Sequence, residues 1–454
     1  MSKTTDLLLE NIRMGRALTN GEKLNLIIGL SVPSMLAQVT SVLMFFIDAA
    51  MVGHLGAAAS ASIGLIESTT WLMGSVLGAV STGFSVQVAH FIGANDFFKA
   101  RQVFRHALIC GMIFSIILAI VGLCIATPLP YWLGGGADIA NDSTHYFMIF
   151  SLAMPFILLF HISSSMLKSA GDMKTPSVMS IANCFFDVIF NYLFIYILEL
   201  GVLGAALGTS LSYLISSIVM TYMAAMKSKI LALHLDKVKF EWVSDYVRNA
   251  LKISTPIAIQ SILMSGAQIV STLIVAPLGN IAIATNSFAI TAESLCYMPG
   301  FGIGDAATTL VGQTYGANRM DLCKNFAHMT VGLGMVVMTF MGAVMYIFAP
   351  EMIGLLSPVE EIRVLGTEVL RIEAFAEPFF AAAIVTAAVC VGVGDTLKPA
   401  IINLVSMWMV RLTLAYWLSQ SMGLKGVWIA MAIELTFRGI LFLIRLFRGK
   451  FAKH

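Results

Sequence analysis

Apolar residues along this chain come in long, nearly unbroken runs rather than in the alternation of a half-buried strand. A helix needs about 20 predominantly apolar residues to cross a bilayer. Twelve runs qualify, at roughly 24–52, 59–86, 103–127, 145–167, 177–198, 203–226, 249–277, 281–311, 326–349, 367–390, 399–419 and 424–446. Inside lipid every backbone polar group must be satisfied within its own segment, so these runs are expected to be helices. The pattern predicts an all-α polytopic membrane protein with twelve transmembrane helices.

Basic residues orient the spans. With the N-terminus inside, Arg13, Arg16, Lys99, Arg101, Lys168, Lys227, Arg248, Lys324, Lys398 and Arg448 all fall at inner loops and helix ends. The outer side holds Arg363, Arg371 and Lys425. This positive-inside bias puts both termini in the cytoplasm; the cytoplasmic (inner) membrane is the expected location. The first 23 residues are polar and charged, and no small-residue cleavage site follows the first run, which is therefore expected to be a retained span. One long polar stretch, "KSKILALHLDKVKFEWVSDYVR" from Lys227, lies mid-chain on the inner side. Its mixture of apolar and charged residues suggests a surface helix joining two halves. The expected organisation is an N-lobe over 1–230, a cytoplasmic linker helix over 231–248 and a C-lobe over 249–454.

The halves repeat at a constant offset of 223 residues. Pro33 falls on Pro256, Leu55-Gly56 on Leu278-Gly279, and Gly93-Ala94-Asn95 on Gly316-Ala317-Asn318. Pro155 falls on Pro378, Gly171-Asp172 on Gly394-Asp395, and Pro176 on Pro399. Ordered coincidences without drift indicate duplication. Six spans per half make the repeats parallel, with two pseudo-symmetric six-helix lobes and a cleft between them as the expectation.

Composition narrows the class. The chain is 58% hydrophobic and 11% charged, against about 25% charged in a soluble domain. A mean hydropathy of +0.87 over the whole length excludes a soluble protein with one anchor. The net charge of +2 argues against a nucleic-acid partner. The six cysteines are scattered singly without metal-ligand spacing and are expected to be small buried hydrophobes.

A carboxylate at mid-membrane costs roughly 2.5–3.5 kcal/mol on insertion scales, so it normally faces a cavity or a partner. The candidates are Asp48, Glu67, Asp187, Glu293, Asp305, Glu373, Glu377 and Glu434. Three features single out the first lobe. Asn183 and Asp187 are four residues apart and share a helix face. Asp48, Asp187 and Thr209 lie at compatible depths in the outer halves of their spans. Pro33 precedes Asp48 by about 22 Å of ideal helix, and its missing backbone donor gives the first span a bending point. Glu434 and Arg438, also four apart, are expected to form an intrahelical ion pair.

These residues, the twelve spans and the duplication resemble the multidrug and toxic compound extrusion (MATE) family over nearly the whole chain. The resemblance is carried by "MPGFGIGDAATTLVGQTYGANR", its counterpart "STGFSVQVAHFIGAND", and the paired "SAGDMKTP" and "GVGDTLKP". The first-lobe cluster is similar to that of the DinF-like branch. By that resemblance Asp48, Asn183, Asp187 and Thr209 hold the coupling cation, H⁺ or Na⁺, with Ser210 and Ser212 as alternatives to Thr209, and Pro33 is the hinge. The NorM-like branch places an acid in the seventh span, where this chain has Gln260 and Gln268. Glu293, Glu373 and Glu377 are secondary candidates for a second-lobe site.

The resemblance implies a secondary active antiporter that exports cationic or amphipathic compounds by alternating access. It implies a monomer in the lipid bilayer with small-molecule substrates, no cofactor beyond the coupling ion and no enzymatic activity. A lipid-linked saccharide flippase shares the broad architecture but would be expected to line its cleft with basic residues, and only Arg411 and Arg438 are deeply placed. An intramembrane enzyme would need a catalytic constellation, and His54 and His161 are isolated.

Overall fold

The computed structural model describes residues 3–236 and 240–449, and among them every regular element is a helix. The first half contains α1 (Lys3–Arg13), α2 (Asn20–Gly53), α3 (Ala57–Gly93), α4 (Phe97–Ile125), a single turn α5 (Leu129–Trp132), α6 (Ala137–Ser169), α7 (Lys174–Tyr192) and α8 (Gly201–Tyr222). The second contains α9 (Ser244–Val275), α10 (Asn280–Gly316), α11 (Met320–Leu356), α12 (Glu360–Ala374), α13 (Glu377–Gly392), α14 (Leu397–Val405), α15 (Leu412–Met422) and α16 (Leu424–Phe447). A π-helical turn, Ser406–Arg411, joins α14 to α15 within one span.

These helices make up the twelve expected spans. Ten runs are each long and apolar enough to cross a bilayer, and α12 with α13, bent by 57°, makes an eleventh. The twelfth is α10, 37 residues long. It carries Asn286, Glu293, Asp305 and Gln313, and buried residues run along its whole length. The polar groups on its buried face lower its hydropathy below that of the other spans.

The duplication is visible in the backbone. Gly56 and Gly279 have φ of 111° and 101°, Asn95 and Asn318 of 59° and 57°, and Gly171 and Gly394 of 89° and 85°. At the last two pairs the helix closes with the same six-residue hydrogen bond. Asp96 N–H donates to Phe91 O and Arg319 N–H to Thr314 O; Asp172 N–H donates to Leu167 O and Asp395 N–H to Cys390 O, each at 2.9 Å. Glycine or asparagine is needed there because a left-handed residue ends the helix without a side-chain clash. The repeat diverges at one proline. Pro155 sits inside α6, whereas Pro378 follows the α12–α13 break and starts a helix, where its missing donor leaves nothing unsatisfied.

By contacts the chain forms two units, one of residues 40–258 and one of 259–454 together with the chain up to Val39. The boundaries fall inside α2 and α9, because each long helix has two differently packed ends. In the first unit α9 lies so close to α3 that a Cβ on Gly83 would sit 2.5 Å from the Ala250 carbonyl oxygen. Gln87 donates to the Tyr246 carbonyl at the same contact, 3.0 Å. In the second unit α2 meets α10 at Gly302, and Ser34 donates to Asp305 at 2.6 Å. The amphipathic α1 belongs to that unit and buries Leu8, Leu9 and Ile12, while Arg319 donates to the Arg16 carbonyl at 2.7 Å.

The segment after α8 differs from the expected surface helix over 231–248. Its described part is one 3₁₀ turn, Leu233–Leu235, and residues without regular structure up to 243; 237–239 lie outside the described residues, and 244–248 are already the start of α9. Tertiary bonds replace the helix. Arg101 grips Asp236 through two nitrogens, at 2.6 and 2.8 Å, and donates to the Ile230 carbonyl. Arg105 donates to the Leu233 carbonyl, and His106 Nε2 accepts from the Val243 N–H at 2.9 Å. All six cysteines are free.

Candidate functional site

In the first unit α2, α7 and α8 bring two carboxylates together. Close approach of α7 and α8 comes from Gly204 and Gly208, one helical turn apart on α8. A Cβ on Gly204 would lie 2.7 Å from the carbonyl oxygen of Phe194, in the π-helical turn Leu193–Ile197 that continues α7, and one on Gly208 2.8 Å from the Asn191 nitrogen. Small residues at this spacing let two helix backbones touch. The hydroxyl groups of Thr209 and Ser212 on α8 thereby face Asp187 on α7, as does Asp48 from α2. Asp187 is 4% exposed, and its Oδ1 is buried without a hydrogen-bond partner. Asp48 Oδ1 accepts from Asn191 Nδ2 at 3.1 Å.

Asp48 lines a cavity of about 280 Å³ whose walls also include Phe45, Glu67, Trp71, Tyr146, Asn191 and Thr209. Phe45 and Trp71 meet edge to face with ring centroids 6.2 Å apart. Trp71 Nε1 donates to Glu67 at 3.4 Å. Aromatic faces beside carboxylates suit an organic cation with an apolar body.

Of the residues singled out from the sequence, the structure brings Asp48, Asp187 and Thr209 to one place. Asn183 lies one turn from Asp187 along α7, its Oδ1 buried without a partner. The amide that reaches Asp48 is that of Asn191, which sequence reasoning missed. The i, i+4 series Asn183, Asp187, Asn191 was its signal, since all three share one face. Ser212 stands beside Thr209 at Asp187. Exchange of Asn191 for Ala is therefore expected to impair ion-driven transport more than Asn183→Ala, measured as initial efflux rates in matched vesicles. Equal effects would contradict the Asp48–Asn191 bond.

The oxygen donors suit a hard monovalent ion or a proton. Asp187 Oδ1 and Asn191 Oδ1 are both buried acceptors without a donor. Two carboxylates held this close in a low-dielectric surround repel each other unless a positive charge lies between them. Among the described residues no group of three or more histidine, cysteine or acidic side chains forms a transition-metal site.

Pro33 lies inside α2, where it offers no N–H to the Gly29 carbonyl. Its neighbour Ser34 holds that point to Asp305 of α10. The secondary candidates separate. Glu293 lines a cavity of about 440 Å³ in the second unit, alongside Gln260, Gln268, Arg411 and Arg438. Glu373 and Glu377 flank the α12–α13 break, and both oxygens of each are buried without a hydrogen-bond partner. Glu434 and Arg438 form the intrahelical ion pair, Nε to Oε1 3.0 Å.

A sequence model of the MatE family matches residues 33–193 and again 256–417, one copy per half. A probable multidrug resistance protein NorM of Thermotoga maritima is 27% identical over 94% of this chain and 93% of its own. The multidrug export protein MepA of Staphylococcus saprophyticus is 22% identical over 75% of both. An outward-facing structure of a multidrug resistance MATE family transporter of the MOP superfamily superposes with a TM-score of 0.91 at 22% identity, covering 100% of this chain and 99% of that one.

Proposed function

Since the chain belongs to the multidrug and toxic compound extrusion family of membrane transporters, we propose that it is a secondary antiporter exporting cationic or amphipathic organic compounds against inward H⁺ or Na⁺. It works by alternating access in the cytoplasmic membrane, with both termini inside. The observation that carries this reading is the contact of Asp48 with Asp187 beside an aromatic, acid-lined cavity.

The cycle follows from charge. With both acids ionised the pair attracts a cation from the outer side, and the membrane potential adds about 2.3 kcal/mol per 100 mV for each charge carried inward. Neutralising the pair lowers the attraction of the adjoining cavity for an organic cation, so the drug leaves. It also loosens the Asp48–Asn191 bond that ties α2 to α7. The outer part of α2 can then move about Pro33, whose neighbour Ser34 stays fixed to Asp305. Loss of the ion on the inner side restores the charge and the affinity for drug. Ion and drug must prefer opposite states, because a ligand shifts an equilibrium only by its differential affinity.

The deciding experiment loads proteoliposomes with a fluorescent cation and imposes a pH gradient or a sodium gradient separately. Efflux driven by one of them identifies the ion; efflux independent of both removes the antiport. Pro33→Ala is expected to slow turnover several-fold while changing dye affinity little. Comparable losses in both would show that Pro33 shapes the cavity instead of permitting bending.

A further inference from the structure

Burial divides α2 at its proline. Before Pro33, Leu26, Ile27 and Leu30 are at most 1% exposed, and a Cβ on Gly29 would lie 3.3 Å from the Thr5 hydroxyl of α1. After it, Leu36, Leu43, Phe45 and Ile47 are 43–58% exposed. The first part of the helix is held by its packing, and the second has room to swing. Where the two meet, buried Ser34 donates to Asp305 Oδ2 of α10 at 2.6 Å, as short as a hydroxyl bond to a carboxylate becomes. One residue on, the Met35 backbone packs against Gly302. Ser31 lies in the turn that Pro33 weakens, and its Oγ is buried without a hydrogen-bond partner. An unsatisfied hydroxyl there is a cost that a second arrangement of the turn can relieve.

The duplication supplies a comparison. Pro256 of α9 is the equivalent of Pro33, but Ser34 and Asp305 fall on Ile257 and Thr82. Isoleucine has no polar side-chain group, and the Thr82 hydroxyl donates to the Gly78 carbonyl of its own helix at 3.0 Å. These side chains cannot repeat the hydroxyl–carboxylate pin. We infer that Asp305 is a positioning residue for α2: it holds Ser34 as a fulcrum, so that bending at Pro33 swings the far part of the helix, and Pro256 is not an equivalent hinge. The inference rests on the alternating-access reading above. Asp305 touches neither ion nor drug in that scheme and acts through Ser34. A bond from one short side chain fixes a point without fixing a direction, which is what a pivot requires. A proline kink of about 20° over the roughly 22 Å from Pro33 to Asp48 displaces the Asp48 carboxylate by about 7 Å. Without the pin, release of the Asp48–Asn191 bond would be taken up by α2 sliding along α10, and Asp48 would move less.

The test follows exchange of a fluorescent cation across proteoliposomes of the full-length protein, at equal dye concentrations and with no ion gradient. Exchange reports reorientation whether or not an ion drives it. Ser34→Ala and Asp305→Leu should each lower the maximal exchange rate about tenfold, the scale of a lost charge-assisted bond, with the half-saturating dye concentration unchanged. Asp305→Asn, whose amide oxygen still accepts from Ser34, should stay within about threefold of the parent, as expected when a neutral acceptor replaces a charged one. The Ser34→Ala, Asp305→Leu double variant should be no slower than Asp305→Leu, since both remove the same bond. Pro256→Ala should exchange at the parental rate. A Ser34→Ala protein at the parental rate overturns the inference, as does Asp305→Asn as slow as Asp305→Leu, or Pro256→Ala as slow as Pro33→Ala. If Asp305→Leu fails to fold, as judged by gel filtration, Ser34→Ala, which removes one oxygen, decides. Gradient-driven efflux in the parent, with exchange untouched by these variants, would keep the antiporter and remove the fulcrum. Slowed exchange rescued in Asp305→Asn, with no gradient-driven efflux in the parent, would do the opposite. A parent protein that moves dye in neither assay removes both.

Discussion

Asp48→Asn is expected to abolish dye efflux under either ion gradient while leaving expression and thermal stability near those of the parent. The substitution is nearly isosteric. An asparagine oxygen at position 48 can still accept from Asn191 Nδ2, so the 3.1 Å bond that ties α2 to α7 has a replacement. What disappears is one of the two negative charges. With a single acid at Asp187, flanked by Thr209 and Ser212, the mutual repulsion that makes the site exchange a positive charge is gone. Efflux rates should fall by about two orders of magnitude or more, equivalent to losing a few kcal/mol of ion-dependent preference between the two states. A fluorescent cation in proteoliposomes reads this directly, and binding of the same dye without a gradient separates lost coupling from lost recognition. An Asp48→Asn protein that exports as fast as the parent would remove the pair from the mechanism.

The second large effect is structural. Gly302→Ala is expected to lower stability by about 2 kcal/mol, within the usual range for overpacking a tight contact. A Cβ at this position would lie 2.5 Å from the Met35 nitrogen and 2.6 Å from its Cα, both backbone atoms that cannot rotate aside. The contact lies two residues from Pro33 and one from Ser34, so displacing it also disturbs the Ser34–Asp305 bond. Gly332→Ala is the control. Nothing lies within 4 Å of a Cβ there, and replacing a helical glycine in open space is neutral or stabilising by up to about 1 kcal/mol. Thermal-shift measurements in detergent should place the two variants on opposite sides of the parent. A Gly302→Ala protein as stable as Gly332→Ala would mean that α2 and α10 can separate at no cost.

Particular residues show why some of this architecture could be read in advance and some could not. Gly56, Asn95 and Gly171 recur 223 residues later because each marks a left-handed turn at a helix end, and backbone conformation is a local property of residue type. Asp48 and Asp187 stood out because an acid in an apolar run is costly anywhere in a membrane. Asn191 did not, since asparagine is a common helix-to-helix donor and nothing along the chain says which amide reaches across 143 residues. The connecting segment was misread for a related reason. Its mixed polarity fits an amphipathic helix, but Arg101, Arg105 and His106 capture its carbonyls, carboxylate and N–H from another helix.

By itself the sequence determined the number of spans and the duplication, because hydrophobic run length and turn chemistry act locally and lipid punishes any exception. Only the tertiary structure decided that α2 and α9 are each divided between two packing units, that Asn191 is the amide on Asp48, and that Arg411 and Glu293 line one cavity. Those outcomes depend on which helix faces meet, and in a chain whose surfaces are almost uniformly apolar, that choice is made by small residues such as Gly204, Gly208 and Gly302 and by the few polar groups that find one another.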